Sequence, residues 1–223
     1  TKVAYGLNNN LYVKDLISGD TKQITFDGEK NRIINGITDW VYEEEFAFVR
    51  AFEWNASSDR IAFIRFDETE VPTFSMDITG TALYPTQQVF KYPKAGEANS
   101  RVSLHLYDLE SEALSELKVS KDYKDFYIPR LEWTNDPDVL SVQYMNRHQD
   151  ELDLYMIDAS NLSSALVLAE TDKAYVDVTF NIDMSGVETS TDGVFMGGGV
   201  FGYPGDSPMS DDDGDDVWTF TAT

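Results

Sequence analysis

One short pattern occurs three times: Leu11-Tyr12-Val13-Lys14-Asp15, Leu104-His105-Leu106-Tyr107-Asp108 and Leu152-Asp153-Leu154-Tyr155-Met156-Ile157-Asp158. Each run alternates side chains and closes on a carboxylate, which reads as the outer strand of a hairpin ending in an Asp turn. A second pattern occurs twice. Phe52-Glu53-Trp54 and Leu131-Glu132-Trp133 precede the turns Ser57-Ser58-Asp59 and Asn135-Asp136-Pro137-Asp138, and apolar strands over 61–66 and 139–145 follow. Near the start, residues 2–7, 11–16 and 22–25 read as strands separated by Asn8-Asn9-Asn10 and Ser18-Gly19-Asp20. Helical periodicity is scarce over 1–173. Four strands repeated in this way make a propeller blade. The fold expected is therefore all-β, with a partial β-propeller of about three blades over 1–177. An ordinary β-sandwich is the structural alternative. Trp54 and Trp133 lie farther apart than the ~40–50 residues of a bare blade. The excess falls at 68–100, whose prolines mark an inserted arm.

Composition places a boundary. The chain holds 40 Asp+Glu against 17 Lys+Arg, a formal net charge of -23, yet no Lys or Arg follows Lys173. More than half of the 14 glycines also lie beyond that point. The change suggests a second module at 178–223, met by a gene fusion or a sequence join at Asp177–Thr179. Strong acidity argues against a nucleic-acid partner and against anionic membrane surfaces, because both need a basic face. With no cysteine, disulfides, thiolate zinc sites and a cysteine nucleophile are excluded. No apolar run approaches the ~18 residues of a membrane span.

The stretch Asn35-Gly36-Ile37-Thr38-Asp39-Trp40-Val41-Tyr42-Glu43-Glu44-Glu45-Phe46 resembles the propeller of the dipeptidyl peptidase IV family of serine exopeptidases. Phe66-Asp67-Glu68-Thr69-Glu70-Val71-Pro72, Tyr92-Pro93-Lys94-Ala95-Gly96 and Asn146-Arg147-His148-Gln149 follow in the family's order, over about 1–178. The resemblance implies an eight-bladed propeller paired with an α/β-hydrolase domain, which removes Xaa-Pro or Xaa-Ala dipeptides from peptide N-termini. It also implies a role for Glu44 and Glu45, which match the family's acids that bind the substrate's free α-amine. Elementary chemistry agrees. Three consecutive acids repel one another, and beside Trp40, Tyr42 and Phe46 they sit on a semi-buried element that should turn some of them into a shared cavity. Two carboxylates can share the three N–H donors of one ammonium. Glu44 and Glu45 are expected on one side of a short helical or turn element, with Glu43 pointing elsewhere. A solvated acidic turn is the plainer reading of the same three residues.

The chemistry of cleavage is missing. No Gly-x-Ser-x-Gly elbow occurs, and a serine exopeptidase needs one with His and Asp. Gly205-Asp206-Ser207-Pro208 reads as a turn, because Pro after Ser removes an N–H needed for an oxyanion hole. His105 in a strand and His148 in a hairpin read as structural. The family's carbonyl-holding arginine belongs to a region that would precede Thr1, so the site here is incomplete. The expected role is thus a non-catalytic, substrate-gating portion, inactive alone, whose partners are a peptide N-terminus and the missing α/β-hydrolase domain. The open edges of a partial propeller suggest a homo-oligomer.

In the tail, Val178-Thr179-Phe180-Asn181-Ile182-Asp183-Met184 reads as a strand, as do 217–221. With the Gly-rich run Gly197-Gly198-Gly199 and Tyr203, the segment resembles truncated immunoglobulin-like modules of secreted marine bacterial enzymes, related to starch-binding folds. That likeness implies a partial β-sandwich-like tail and a periplasmic or extracellular, bacterial setting. It also supports a competing role, a secreted carbohydrate- or surface-binding protein. Asp211, Asp213 and Asp215 have the alternate spacing of oxygen ligands and make a candidate Ca²⁺ site. Gly214 stands at the wrong position for an EF-hand loop, no Glu closes it, and a solvated turn is the alternative. No other cofactor is expected.

Overall fold

The computed structural model describes residues 1–172, 178–187, 193–196 and 207–222. The chain divides into two compact units, Thr1–Thr171 and Asp172–Thr223.

The first sheet has the order β1-β2-β3, from β1 (Lys2–Leu7), β2 (Asn10–Asp15) and β3 (Thr21–Gln23). Asn8 and Asn9 turn the chain between β1 and β2 at φ 49° and 62°, a conformation Asn tolerates better than most residues. Leu11 and Val13 share a face, as period two requires. They are buried with Ala4 and Ile24 against Phe52, Ile61 and Phe63 of the next sheet.

The second sheet holds an interruption. β4 (Ile33–Asn35), helix α1 (Trp40–Phe46) and β5 (Phe52–Trp54) precede the long strand β6 (Arg60–Asp67). β4 pairs with β6 at residues 65–67 and β5 pairs with it at 61–63. The innermost strand of this blade is therefore written in two halves, and α1 is looped out between them. The halves close on each other where Gly36 N–H donates to Ile64 O at 3.0 Å and Ala51 N–H to Gly36 O at 3.1 Å. Gly36 sits at φ 70°. A Cβ there would lie 3.0 Å from Leu11 Cδ1, so both the backbone and the packing call for glycine.

A second excursion, β7 (Thr73–Ile78) with β8 (Thr86–Lys91), forms an exposed two-stranded arm. After it, β9 (Arg101–Asp108) pairs with β6 along their whole length, and β10 (Leu114–Leu117) completes the sheet. The excess between the two tryptophans is this arm. The third sheet is an uninterrupted blade, β11 (Phe126–Trp133), β12 (Val139–Asn146), β13 (Glu151–Asp158) and β14 (Ser163–Thr171), in chain order.

Repetition extends to atoms. Asp15 Oδ1 accepts from Ile17 N–H and Ser18 N–H, Asp108 Oδ1 from Glu110 N–H and Ser111 N–H, and Asp158 Oδ1 from Ser160 N–H. Ile17 N–H at the first, Ser111 N–H at the second and the Ser160 hydroxyl at the third are the main causes that hold these carboxyls below their ordinary range. One expectation needs correcting: the strands that end in these turns are not outermost. β2, β9 and β13 are each flanked by a partner on both sides, because a further strand returns along the edge after every Asp turn.

The second and third sheets share one core, in which Ile64, Leu104 and Leu106 meet Ile128, Leu140, Val142 and Ile157. Polar ties cross the same seam. Trp133 Nε1 donates to Glu53 O at 3.0 Å and Asn55 Nδ2 to Pro137 O at 3.1 Å, while Arg60, held to Asp108 within its own sheet, reaches Asp138 of the third. Trp133, the second of the two repeated tryptophans, is thus a joint between blades.

Within the second unit, β15 (Val178–Asp183) pairs with β18 (Val217–Ala222), and β16 (Phe195–Met196) with β17 (Ser207–Pro208). Ser207 and Pro208, expected in a turn, instead form a short strand, which Pro can enter at an edge where no ladder N–H is needed. Gly197–Gly199, Tyr203, Gly205, Asp206 and the 173–177 junction lie outside the described residues. Among the described residues no helix is long and apolar enough to cross a membrane.

Candidate functional site

Helix α1 has seven residues, too few to persist without tertiary support. Asp39 caps its start, Oδ1 accepting from Tyr42 N–H at 3.0 Å, and Ala47 ends it at φ 56°. Tyr42 and Phe46, four residues apart, share the buried face. The Tyr42 ring meets Phe46, Phe48, Phe66 and Tyr127 at centroid distances of 4.8–6.1 Å. Its hydroxyl accepts from Ile128 N–H of β11 at 2.7 Å, and burial pushes its pKa well up. A single tyrosine therefore fastens the helix to the neighbouring blade.

Successive residues are rotated by about 100° on a helix. With Tyr42 and Phe46 inward, Glu43, Glu44 and Glu45 fan across the outward arc, and all three are exposed. Glu43 faces a cavity of about 250 Å³ lined also by Asp39, Trp40, Glu68 and Lys91. Glu45 lies toward the third blade, where its Oε1 accepts from Gln149 Nε2 at 2.8 Å. Glu44 stands between them. The expectation of acids turned into a shared cavity needs correcting for Glu44 and Glu45, since Tyr42 and Phe46 take the whole buried face and leave both carboxylates on open surface. Among the described residues neither carries an ion pair. Both occupy the C-terminal half of the helix, where negative charge opposes the macrodipole. That placement works against local helix stability and is offset by the aromatic anchor.

Behind the helix lies a buried acidic pair. Asp39 Oδ2 accepts from Ser100 Oγ at 2.5 Å, which ties the helix start to the end of the arm excursion. Burial raises the Asp39 pKa despite these bonds. Glu68 is 7% exposed, and its pKa is pushed up to about 7 by burial and by Asp39, with Lys91 acting the other way. Lys91 Nζ donates to Val71 O at 2.6 Å and Thr69 O at 3.2 Å. The ring of Trp40 packs on Tyr92 at 4.2 Å. Asp39, Glu68 and Gln149 stand inside the motifs that resemble the family, yet the sequence alone assigns them no role. Only for Asp39 was a local signal available, an N-cap residue before the Trp40–Phe46 run.

The other expected positions do not join this helix. His105 stacks on Phe63 at 5.3 Å, bonds Ser103 Oγ at 2.9 Å, and burial lowers its pKa. His148 is exposed in the β12–β13 turn. In the second unit, Asp211, Asp213 and Asp215 bring carboxylate oxygens within 4.8 Å of one another. Asp211 Oδ1 is engaged by Gly214 N–H and Asp215 N–H, and Asp215 Oδ1 by Val217 N–H. The loop thus closes on its own backbone donors, and three carboxylates are few against the six to eight oxygens of a calcium site.

Successive antiparallel sheets packed on one another, with an acidic helix looped from one edge strand, define a segment of a β-propeller. The comparisons narrow this. Residues 1–197 match the family described as dipeptidyl peptidase IV (DPP IV) N-terminal region, and the chain belongs to that family. The match continues past the boundary expected at 177. Dipeptidyl-aminopeptidase B of Aspergillus niger is 33% identical over 195 residues, covering 79% of this chain and 21% of that protein. A probable dipeptidyl-aminopeptidase B of Talaromyces stipitatus is 34% identical over the same length, with the same coverage. The crystal structure of Porphyromonas gingivalis dipeptidyl peptidase 4 superposes with a TM-score of 0.74 at 39% identity, over 78% of this chain and 25% of that one. The chain spans about a fifth of the length of the curated relatives it matches.

Proposed function

We propose that this chain is the substrate-gating part of a dipeptidyl peptidase IV-type serine exopeptidase. Glu44 and Glu45 receive the α-ammonium of a peptide, and a hydrolase domain outside this chain removes the Xaa-Pro or Xaa-Ala dipeptide. The observation that carries the reading is the pair of adjacent exposed carboxylates, without ion pairs among the described residues, on a helix fastened by Tyr42. Two like charges on successive residues of an anchored helix favour a ligand with one charge and several N–H donors, which an N-terminal ammonium is. Reading the amine gives the enzyme its ruler, since a fixed distance from ammonium to scissile bond counts two residues. The reading needs no metal and no organic cofactor. The same proposal places the protein in the periplasm or outside the cell, with self-association through the open sheet edges of the partial propeller.

The test compares Gly-Pro amide with its N-acetyl form by saturation-transfer NMR. The free amine should bind and the acetylated form should not, with binding lost as pH rises through the α-amine range near ~8. Glu44→Gln and Glu45→Gln should each weaken binding by about tenfold or more, the scale of a charge-assisted hydrogen bond. Equal binding of both probes would refute the reading.

A further inference from the structure

The motif Asn146-Arg147-His148-Gln149 touches the amine site through one contact, Gln149 on Glu45. Its structure is a tightly closed turn between β12 and β13. Asn146 Oδ1 accepts from Asp150 N–H at 3.1 Å and Glu151 N–H at 3.2 Å, and Asn146 Nδ2 donates to Asp150 Oδ1 at 2.6 Å. Arg147 N–H donates to Asp125 O at 3.2 Å, and Arg147 Nη2 to Glu97 O at 3.1 Å. Gln149 is held at φ 59° with its N–H on Asn146 O at 3.0 Å. From this fixed turn its side chain crosses the seam between blades, 104 residues along the chain, to reach Glu45 Oε1 at 2.8 Å.

We infer that Gln149 is a positioning residue for ammonium recognition, setting the Glu45 carboxylate from the neighbouring blade. The inference rests on the amine-site reading above and adds the part that fixes its geometry. Its logic is in the choice of donor. A Lys or Arg at this position would hold Glu45 equally well, yet would neutralise it and compete with the incoming ammonium. A neutral amide restrains the carboxylate and leaves its charge in place. The bond uses Oε1, so Oε2 stays open to a ligand. A free glutamate side chain has several rotors to order on binding, and restraining it beforehand lowers that cost. The site then spans two blades: α1 supplies the charges and the β12–β13 turn supplies their aim.

A double-mutant cycle on the 223-residue chain separates the roles, read as the dissociation constant of Gly-Pro amide at pH ~7 with N-acetyl-Gly-Pro amide as the control. Gln149→Ala should weaken binding by about three- to tenfold, the scale of one exposed hydrogen bond to a charge. It should cause no further loss in the Glu45→Gln background, because a residue acting through Glu45 is silent without that carboxylate. Gln149→Asn keeps an amide and a residue at ease with positive φ but is one methylene short, so it should behave as Gln149→Ala while the thermal midpoint stays unchanged. Equal losses in both backgrounds would mean that Gln149 acts independently of Glu45, and would overturn the inference. Wild-type affinity in both Gln149→Ala and Gln149→Asn would also overturn it, while leaving the amine site standing if Glu45→Gln still weakens binding. A wild-type chain that does not distinguish the two probes would overturn the amine reading and this inference together.

Discussion

Replacing Glu68 by Gln should stabilise the propeller unit at pH 8 and leave it nearly unchanged at pH 4.5. The carboxyl is buried beside Asp39, and its pKa stands at about 7 against an ordinary 4.5. Between those two values the unfolded chain has released the proton while the folded chain keeps it. Fewer protons bound in the unfolded state means that stability falls as pH rises through this window. The full shift would correspond to roughly 3 kcal/mol at ~1.36 kcal/mol per pH unit. The cavity beside Glu43 admits solvent and Lys91 lies near, so screening reduces this to about 1–2 kcal/mol. Gln keeps the shape and removes the charge. For a unit of this size about 1 kcal/mol moves the midpoint by ~2–4 °C, so Glu68→Gln should raise the thermal midpoint at pH 8 by about 2–8 °C. Circular dichroism melts of both proteins at pH 4.5, 6, 7 and 8 make the test. Parallel curves, with the same difference at every pH, would show that Glu68 titrates normally and that the acidic pair is not buried as described.

Tyr42→Phe keeps the ring and strips the acceptor from a buried Ile128 N–H, which should cost about 1–3 kcal/mol, measured by urea unfolding, and should weaken ammonium binding as the helix loosens. Gly36→Ala forces a Cβ onto φ 70° and against Leu11. It should destabilise the same unit by about 1–2 kcal/mol, whereas Ala at Gly19, with open space around it, should cost only the backbone strain. The chain incubated with a Gly-Pro chromogenic amide should release no product above buffer, and turnover sensitive to a serine inhibitor would refute the inactive assignment.

Much of the architecture was legible because it is periodic. Alternation and turn residues announced the hairpins of β1–β2, β5–β6 and β11–β12, and the prolines at 68–100 announced the arm. The run Glu43-Glu44-Glu45 stood out because three adjacent acids have no use in a core. Gln149 was not legible in the same way. It lies 104 residues from Glu45, and nothing local in Asn-Arg-His-Gln says which neighbour a turn amide will meet. Glu68 was equally silent, since its raised pKa comes from burial and from Asp39, and both arise only when β6 is covered by α1 and the arm.

Local covalent order by itself determined the repeated hairpin strands, where the Asp turns fall and which charges the helix carries, because pleat and turn preferences act over a few residues; it misread Ser207–Pro208, which is a strand. It also determined that the chain is anionic and without cysteine chemistry. The tertiary structure alone decided that the innermost strand of the second sheet is split around α1, since β4 and β5 come together by both pairing with β6. It alone decided that Glu44 and Glu45 face solvent, because the inward side was claimed by Tyr42 and Phe46 packing on the next blade. Contacts between residues far apart in sequence depend on where two separate sheets come to rest, and no pattern within either one encodes that distance.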